Sequence, residues 1–141
     1  MAATQTKISD IVLMNGAELS AAIKAKRVSC ADVMSAYLDH IARWNPGVNA
    51  IVALQPREAL LAQAAERDAQ AARGEWLGPL HGFPTAVKDL QLVRGIVSTR
   101  GSPMTIYGIS EAASDVARWW CSGAETVHWV PRLRSWPTSS A

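Results

Sequence analysis

The sequence predicts an α/β fold, because segments with helical and with strand-like hydrophobic spacing alternate along it. Their order is helix, helix, strand, helix, strand, and Pro46-Gly47 and Gly74 mark two of the boundaries. At 141 residues the chain has the size of one ordinary domain. It is therefore long enough to bury a core, and nothing in it requires two domains.

Two helices are predicted before the first strand. From Ala17 to Arg27, a helix would have apolar residues on one side and basic residues on the other, which suits a short amphipathic helix. The second helix starts at Ser29, which forms a capping-box pattern with Asp32, and it ends at Pro46-Gly47. Its apolar positions recur every three or four residues: Val33, Met34, Tyr37, Leu38, Ile41 and Trp44.

The later elements are predicted from runs of β-branched residues and from residues that typically start or end helices. Val48 to Leu54 has the composition of a strand, and Pro56 to Ala72 has that of an alanine-rich helix. A turn rich in glycine and proline leads to a short strand from Phe83 to Lys88. After a long irregular loop, we expect a helix over residues 110–123 and a strand that begins at Glu125.

The charge balance and hydropathy exclude several classes of protein. With 14 basic and 12 acidic residues, the formal charge of +2 is too balanced for a nucleic-acid or membrane-surface footprint. No window approaches the roughly 20 apolar residues that cross a bilayer, and the N-terminus lacks a secretory signal. We therefore expect a soluble, cytoplasmic protein that binds neither nucleic acid nor membrane.

The sequence predicts no metal and no cofactor. Cys30 and Cys121 lack metal-ligand spacing and cannot form a disulfide framework. His40, His81 and His128 stand alone, which favours surface or turn positions over metal ligation. The chain has no G-x-S-x-G elbow, and its GIVSTRGS loop lacks the lysine and the spacing of a phosphate loop.

One lysine is the candidate for chemistry. Lys88, the last of four lysines, ends the apolar run of the predicted strand from Phe83. Its stem could lie on apolar neighbours while the ammonium reaches water. Alternatively, an apolar, hydrogen-bonded site could favour the neutral amine, since burial lowers a lysine pKa by as much as about 3 to 5 pH units and creates a general base. Composition alone favours the first interpretation.

The residues around Lys88 resemble the amidase signature family. The sequence reads GPLHGFPTAVKDL and then G-x-x-S-T-x-G-S-P. Members of that family usually read G-P-L-H-G-[VI]-P-[VI]-A-[VI]-K-D and then G-x-x-T-T-x-G-S-P. The upstream stretch YLDHIARWNPGVNAIVAL is similar to the family's helix, N-P-x-x-N-A motif and strand. The likeness runs from about Ala17 to Val127.

This resemblance implies both a fold and a mechanism. The fold is the N-terminal helices and first strands of a mixed, largely parallel sheet, and it is incomplete. Lys88 takes the role of the base in a Ser-cis-Ser-Lys triad, which activates a serine to attack an amide carbonyl. Both family serines lie in a downstream G-G-S-S-G-G-S segment that this sequence lacks, and Ser139 and Ser140 do not match it. We therefore expect an amidase truncated before both serines and inactive alone, whose intact parent acts on a small-molecule amide.

The resemblance also divides the chain. Residues 1–127 are predicted to be the N-terminal part of an amidase signature domain, and residues 128–141 a tail foreign to the family. One hypothesis for the tail is a shifted reading frame, because another frame after Val127 can encode a segment like the family's continuation. A gene fragment or a natural short paralogue is the alternative.

A second hypothesis makes the chain a non-catalytic interaction module. Unpaired strand edges and apolar helix faces favour association with a complementing chain, with a homologue or with a second copy. A weaker alternative is membrane or nucleic-acid binding through four residues of the tail, which are Trp129, Arg132, Arg134 and Trp136.

Overall fold

The computed structural model describes residues 8–89, 91, 93 and 96, and the backbone of residues 124–129. Within these residues the chain forms four helices and two strands. They are α1 (Ile8–Ile11), α2 (Gly16–Lys24), α3 (Cys30–Val48), α4 (Arg57–Ala72), β1 (Phe83–Lys88) and β2 (Ala124–Trp129). The predicted α/β class is confirmed. The helix predicted over residues 110–123 lies outside the described part of the chain.

Strands β1 and β2 pair in parallel. The register runs from Phe83 opposite Ala124 to Lys88 opposite Trp129. The predicted bounds of β1 are confirmed, and β2 begins one residue before the predicted start. Because β2 continues through residues 128 and 129, it extends two residues past the predicted boundary of the family-like part. The division at residue 127 stays a prediction.

The core lies among the helices, and the sheet rests on it. Helix α3 packs against α4 and β1, and α4 also contacts β2. The partly buried ring of Phe83 packs against this core and so attaches β1 to the helices. The buried side chains are Ile11, Leu19, Ala22, Ile23, Val28, Cys30, Val33, Met34, Ala36, Leu38, Leu60 and Ala64.

Capping boxes begin helices α2 and α3. At the start of α3, the Ser29 hydroxyl accepts from the Asp32 N–H at 2.9 Å, and the Asp32 carboxylate accepts from the Ser29 N–H at 3.1 Å. This confirms the predicted box. Helix α2 has a second box, in which Asn15 and Glu18 exchange the same bonds. The predicted start at Ala17 missed it, and the predicted end at Arg27 lies three residues past Lys24.

The predicted end of α3 is wrong, because the helix continues through Pro46 to Val48. A proline costs a helix one hydrogen bond and adds a clash, but here it lies only two residues from the end. Asn49 then ends the helix in the left-handed conformation, with φ of 49°, and its N–H donates to the Asn45 carbonyl. Trp44, which the pattern placed among the apolar helix positions, is 55% exposed.

The predicted strand from Val48 to Leu54 is also wrong. Val48 belongs to α3, and the residues after it are irregular apart from a single bridge residue, Ala53. The Asn45 side chain explains this, because its amide binds both backbone groups of Ile51. The Ile51 N–H donates to Asn45 Oδ1 at 2.8 Å, and Asn45 Nδ2 donates to the Ile51 carbonyl at 2.7 Å. These backbone groups are therefore not available to a sheet.

Candidate active site

Lys88 lies at the C-terminal end of β1, beside the end of β2. Reactive groups in α/β folds commonly lie at the carboxyl ends of parallel strands. The Gln91 N–H donates to the Lys88 carbonyl at 2.9 Å and closes a turn directly after the strand. In the described part of the chain the Lys88 side chain is exposed.

Strand alternation directs Lys88 away from the interior. Successive strand residues point to opposite faces, and the neighbours of Lys88 are both buried: Val87 is 8% exposed and Asp89 is 2% exposed. Val87 packs with Val93 and Ile96 in a small apolar cluster. Lys88 thus reaches solvent here, as in the first interpretation of the sequence, and its role as a base stays a prediction.

His81 holds the connection between α4 and β1. Its imidazole Nε2 lies 2.9 Å from the Arg67 carbonyl oxygen of α4, and the Leu77 N–H donates to Nδ1 at 3.4 Å. The Trp76 ring packs against it with the ring centroids 4.8 Å apart. A turn position was one of the two predicted places for His81, and the structure has it in a turn. A surface position is wrong, because these contacts leave the residue only 2% exposed.

Gly82 brings β1 into direct contact with α3. Its φ of 76° lies in the left-handed region that favours glycine. A Cβ placed there would overlap the sulfur of Cys30 and would lie 3.0 Å from the Cys30 Cβ. Cys30 is fully buried at the first position of α3. The start of the strand therefore fits against the helix only without a side chain at position 82.

Asp68 of α4 binds the N-terminus of α3. Its carboxylate accepts from the Cys30 N–H at 2.8 Å and from the Ala31 N–H at 3.1 Å. The first N–H groups of a helix lack intrahelical partners, and a negative charge there is favoured by the helix dipole. The sequence did not predict this role of Asp68, because its partners are backbone groups 37 and 38 residues earlier and leave no local pattern.

Helix α2 supports the same connection from the other side. The Ser20 hydroxyl donates to the Pro79 carbonyl at 2.8 Å. On the surface nearby, Arg73 binds Glu75 at 2.8 Å, and this hydrogen bond lowers the pKa of the Glu75 carboxyl. The connection from α4 to β1 thus contacts α2, α3 and α4 before it enters the strand.

The described residues contain neither a metal site nor a membrane-spanning helix. No three histidine, cysteine, aspartate or glutamate side chains among them are grouped so that they could bind a metal ion. None of the helices in that part of the chain is long and apolar enough to cross a bilayer.

The fold and the site define an α/β protein with a lysine at the carboxyl end of a parallel strand, carried by a helical layer. The family model described as Amidase matches residues 32–119, which is more than half of the chain and includes Lys88. The chain belongs to this amidase family, as the resemblance to amidase signature enzymes predicted.

Named relatives agree with this assignment. A glutamyl-tRNA(Gln) amidotransferase subunit from Acidothermus cellulolyticus is 43% identical over 95 residues, which are 67% of this chain and 19% of the relative. The acylamidase of Rhodococcus erythropolis is 36% identical over 88 residues, which are 62% of this chain and 18% of the relative. The chain therefore spans about a fifth of the length of these relatives.

A solved structure agrees as well. The native peptide amidase of Stenotrophomonas maltophilia superposes with a TM-score of 0.71 at 30% sequence identity. The match covers 82% of this chain and 24% of the peptide amidase.

Replacing Asp68 by asparagine tests the junction between α4 and α3. The amide keeps one acceptor oxygen, but it loses the negative charge and turns an N–H group toward the helix N-terminus. We expect Asp68→Asn to lower the free energy of unfolding by about 2 kcal/mol, as measured by urea denaturation.

Asp39→Asn is the matched control, because it removes an equal charge from an exposed ion pair. The Asp39 carboxylate binds Arg57 at 2.8 Å on the surface. Such pairs contribute little, so we expect a change within about 0.5 kcal/mol. Equal effects of the two substitutions would show that Asp68 does not hold the helices together.

Proposed function

We propose that Lys88 is the general base of an amide-hydrolysing site whose other groups come from residues beyond these 141. The observation that carries the proposal is the position of Lys88, which ends the parallel strand β1 inside the region matched by the amidase family. In this mechanism the neutral amine takes a proton through a bridging serine. A second serine then attacks the amide carbonyl and expels ammonia or an amine, and water releases the acid.

The base requires a covered site, which the described residues do not supply. Lys88 is exposed here, whereas a general base takes up a proton as a neutral amine. The chain spans 19% of the length of the Acidothermus relative, so most of a complete amidase lies outside it. We propose that those further residues supply both serines, the oxyanion donors and the apolar cover that favours the neutral amine.

The substrate class follows from the family. The named relatives include an acylamidase and a peptide amidase, and both names describe enzymes that act on amides. We propose a carboxylic amide as the substrate of the whole protein. The chain alone is expected to hydrolyse no amide, because its sequence lacks the serine-rich segment. The cytoplasmic location expected from the sequence stays a prediction.

A chimera tests the role of Lys88. Residues 17–127 of this chain replace the matching segment of the Rhodococcus erythropolis acylamidase, and release of the amine from an N-acyl amide that this acylamidase hydrolyses is measured. We expect the chimera to turn over and Lys88→Ala to lower kcat/KM by roughly 10²–10⁴-fold, because a general base contributes about that much.

Two controls accompany the chimera. Lys24→Ala removes an exposed lysine of α2 and is expected to leave turnover unchanged. The 141-residue chain itself should show none. The proposal fails if the chimera works equally well without Lys88, or if the chain alone hydrolyses the amide and loses this activity in Lys88→Ala.

A second candidate function, an interaction module, is favoured by exposed apolar side chains in the described part of the chain. Trp44 is 55% exposed and Val48, one turn later on α3, is 69% exposed. Others are Leu13, Val52, Leu54, Trp76, Leu77 and Leu80. Such surfaces favour association when nothing covers them. A partner would be a complementing chain, a homologue or a second copy.

Sedimentation of the purified chain tests this candidate. If Trp44 and Val48 drive association, the wild-type chain forms dimers or larger species at micromolar concentration. The double substitution Trp44→Lys, Val48→Lys then shifts it toward the monomer, because charges oppose burial. Glu58→Lys, at an exposed position of α4, controls for added positive charge. A wild-type chain that is a clean monomer and unfolds in one sharp transition argues against the module.

A further inference from the structure

His81 is a buried titratable group that the proposed reaction does not use. It is 2% exposed, and it lies where the helical layer meets the strand that carries Lys88. Both of its ring nitrogens have backbone partners, which are the carbonyl of Arg67 and the N–H of Leu77. These two backbone partners restrict which nitrogen of the buried imidazole can carry a hydrogen.

The two partners determine where the ring proton lies. A carbonyl oxygen only accepts, so Nε2 must carry the hydrogen that it donates to Arg67. The Leu77 N–H only donates, so Nδ1 must be without a hydrogen. The neutral Nε2–H tautomer satisfies both bonds. In the other neutral tautomer, and in the imidazolium, two N–H groups would face each other at Nδ1.

Two charged pairs lie on α4 and on the connection that follows it. The Arg67 guanidinium lies 3.4 Å from the Glu66 carboxylate, and Arg73 binds Glu75. Lys24 of α2 lines the same surface depression as His81, which has a volume of ≈ 350 Å³.

The ring position is transmitted to β1 through a short, constrained connection. Gly82 follows His81 directly and contacts Cys30 of α3, and the Phe83 N–H donates to the Leu80 carbonyl at 3.1 Å. The strand then runs from Phe83 to Lys88 in register with β2. A displacement of the His81 ring would therefore move the start of the strand.

We infer that His81 is a positioning residue, which as the neutral Nε2–H tautomer holds the start of β1 on α4 and thereby sets the position of Lys88. That His81 attaches β1 to α4 does not depend on the proposed reaction. Only the claim that this attachment places Lys88 for catalysis rests on the proposed function. The attachment can thus be tested in the 141-residue chain without any turnover.

The first test is nitrogen NMR of the histidine rings in the chain at neutral pH. We expect His81 to carry its ring hydrogen on Nε2 and none on Nδ1. The exposed ring of His40 on α3 serves as the internal comparison. A hydrogen on Nδ1 of His81 would overturn the inference, whatever the variants do.

The second test compares three variants by two measurements. His81→Gln keeps an amide N–H that can reach the Arg67 carbonyl, His81→Ala removes the donor, and His40→Gln is the matched control. The measurements are urea unfolding and the NMR signal of reductively methylated Lys88. With only four lysines in the chain, Lys88→Arg identifies that signal.

We expect His81→Ala to lower the unfolding midpoint and to shift the Lys88 signal. His81→Gln should restore a large part of both, and His40→Gln should change neither. The inference is overturned if Lys88 keeps its signal in a folded His81→Ala chain, or if glutamine restores no more than alanine. If His81→Ala does not fold, the inference is tested by the position of the ring hydrogen in the NMR experiment and by the unfolding midpoint and Lys88 signal of His81→Gln. Failure of the Lys88 chimera would reject the proposed reaction but not this attachment.

Discussion

The carboxylate of Asp68 is the contact on which the arrangement of helices and strands depends. It joins α4 to the first turn of α3 through two backbone N–H groups, at 2.8 and 3.1 Å. One of those groups belongs to Cys30, whose side chain in turn leaves room only for a glycine at position 82. Because β1 begins at the next residue, a bond between two helices determines where the strand starts.

The position of Lys88 follows from this arrangement. The connection before β1 is held at Ser20, at His81 and at Gly82, so the strand enters the sheet from a defined point. Alternation within the strand then buries Val87 and turns Lys88 outward. The helical layer supplies the position of the lysine, and the chemistry that we propose for it requires groups from elsewhere.

Local signals predicted the parts of the fold that depend on local contacts. The capping box of Ser29 and the spacing of apolar residues predicted α3, and an apolar run after a Gly/Pro turn predicted β1 with its bounds. The strand expected from Val48 failed, because composition does not reveal that the Asn45 amide binds the Ile51 backbone. The contacts of Asp68 with α3 and of His81 with the Arg67 carbonyl could not be predicted, since these partners are backbone groups of other elements. Lys88 was predicted as a candidate from the motif around it, because periodicity alone did not distinguish it from a surface lysine.

Hydrogen exchange of the backbone amides tests the central claim most directly, namely that the helical layer holds β1 and thereby places Lys88. If it does, those amides of β1 that donate to β2, which belong to alternate residues of the strand, exchange in the 141-residue chain on the same timescale as the core amides of α3, such as those of Val33 and Met34. Rapid exchange throughout β1 while α3 stays protected would contradict the claim, because the strand would then open independently of the helices.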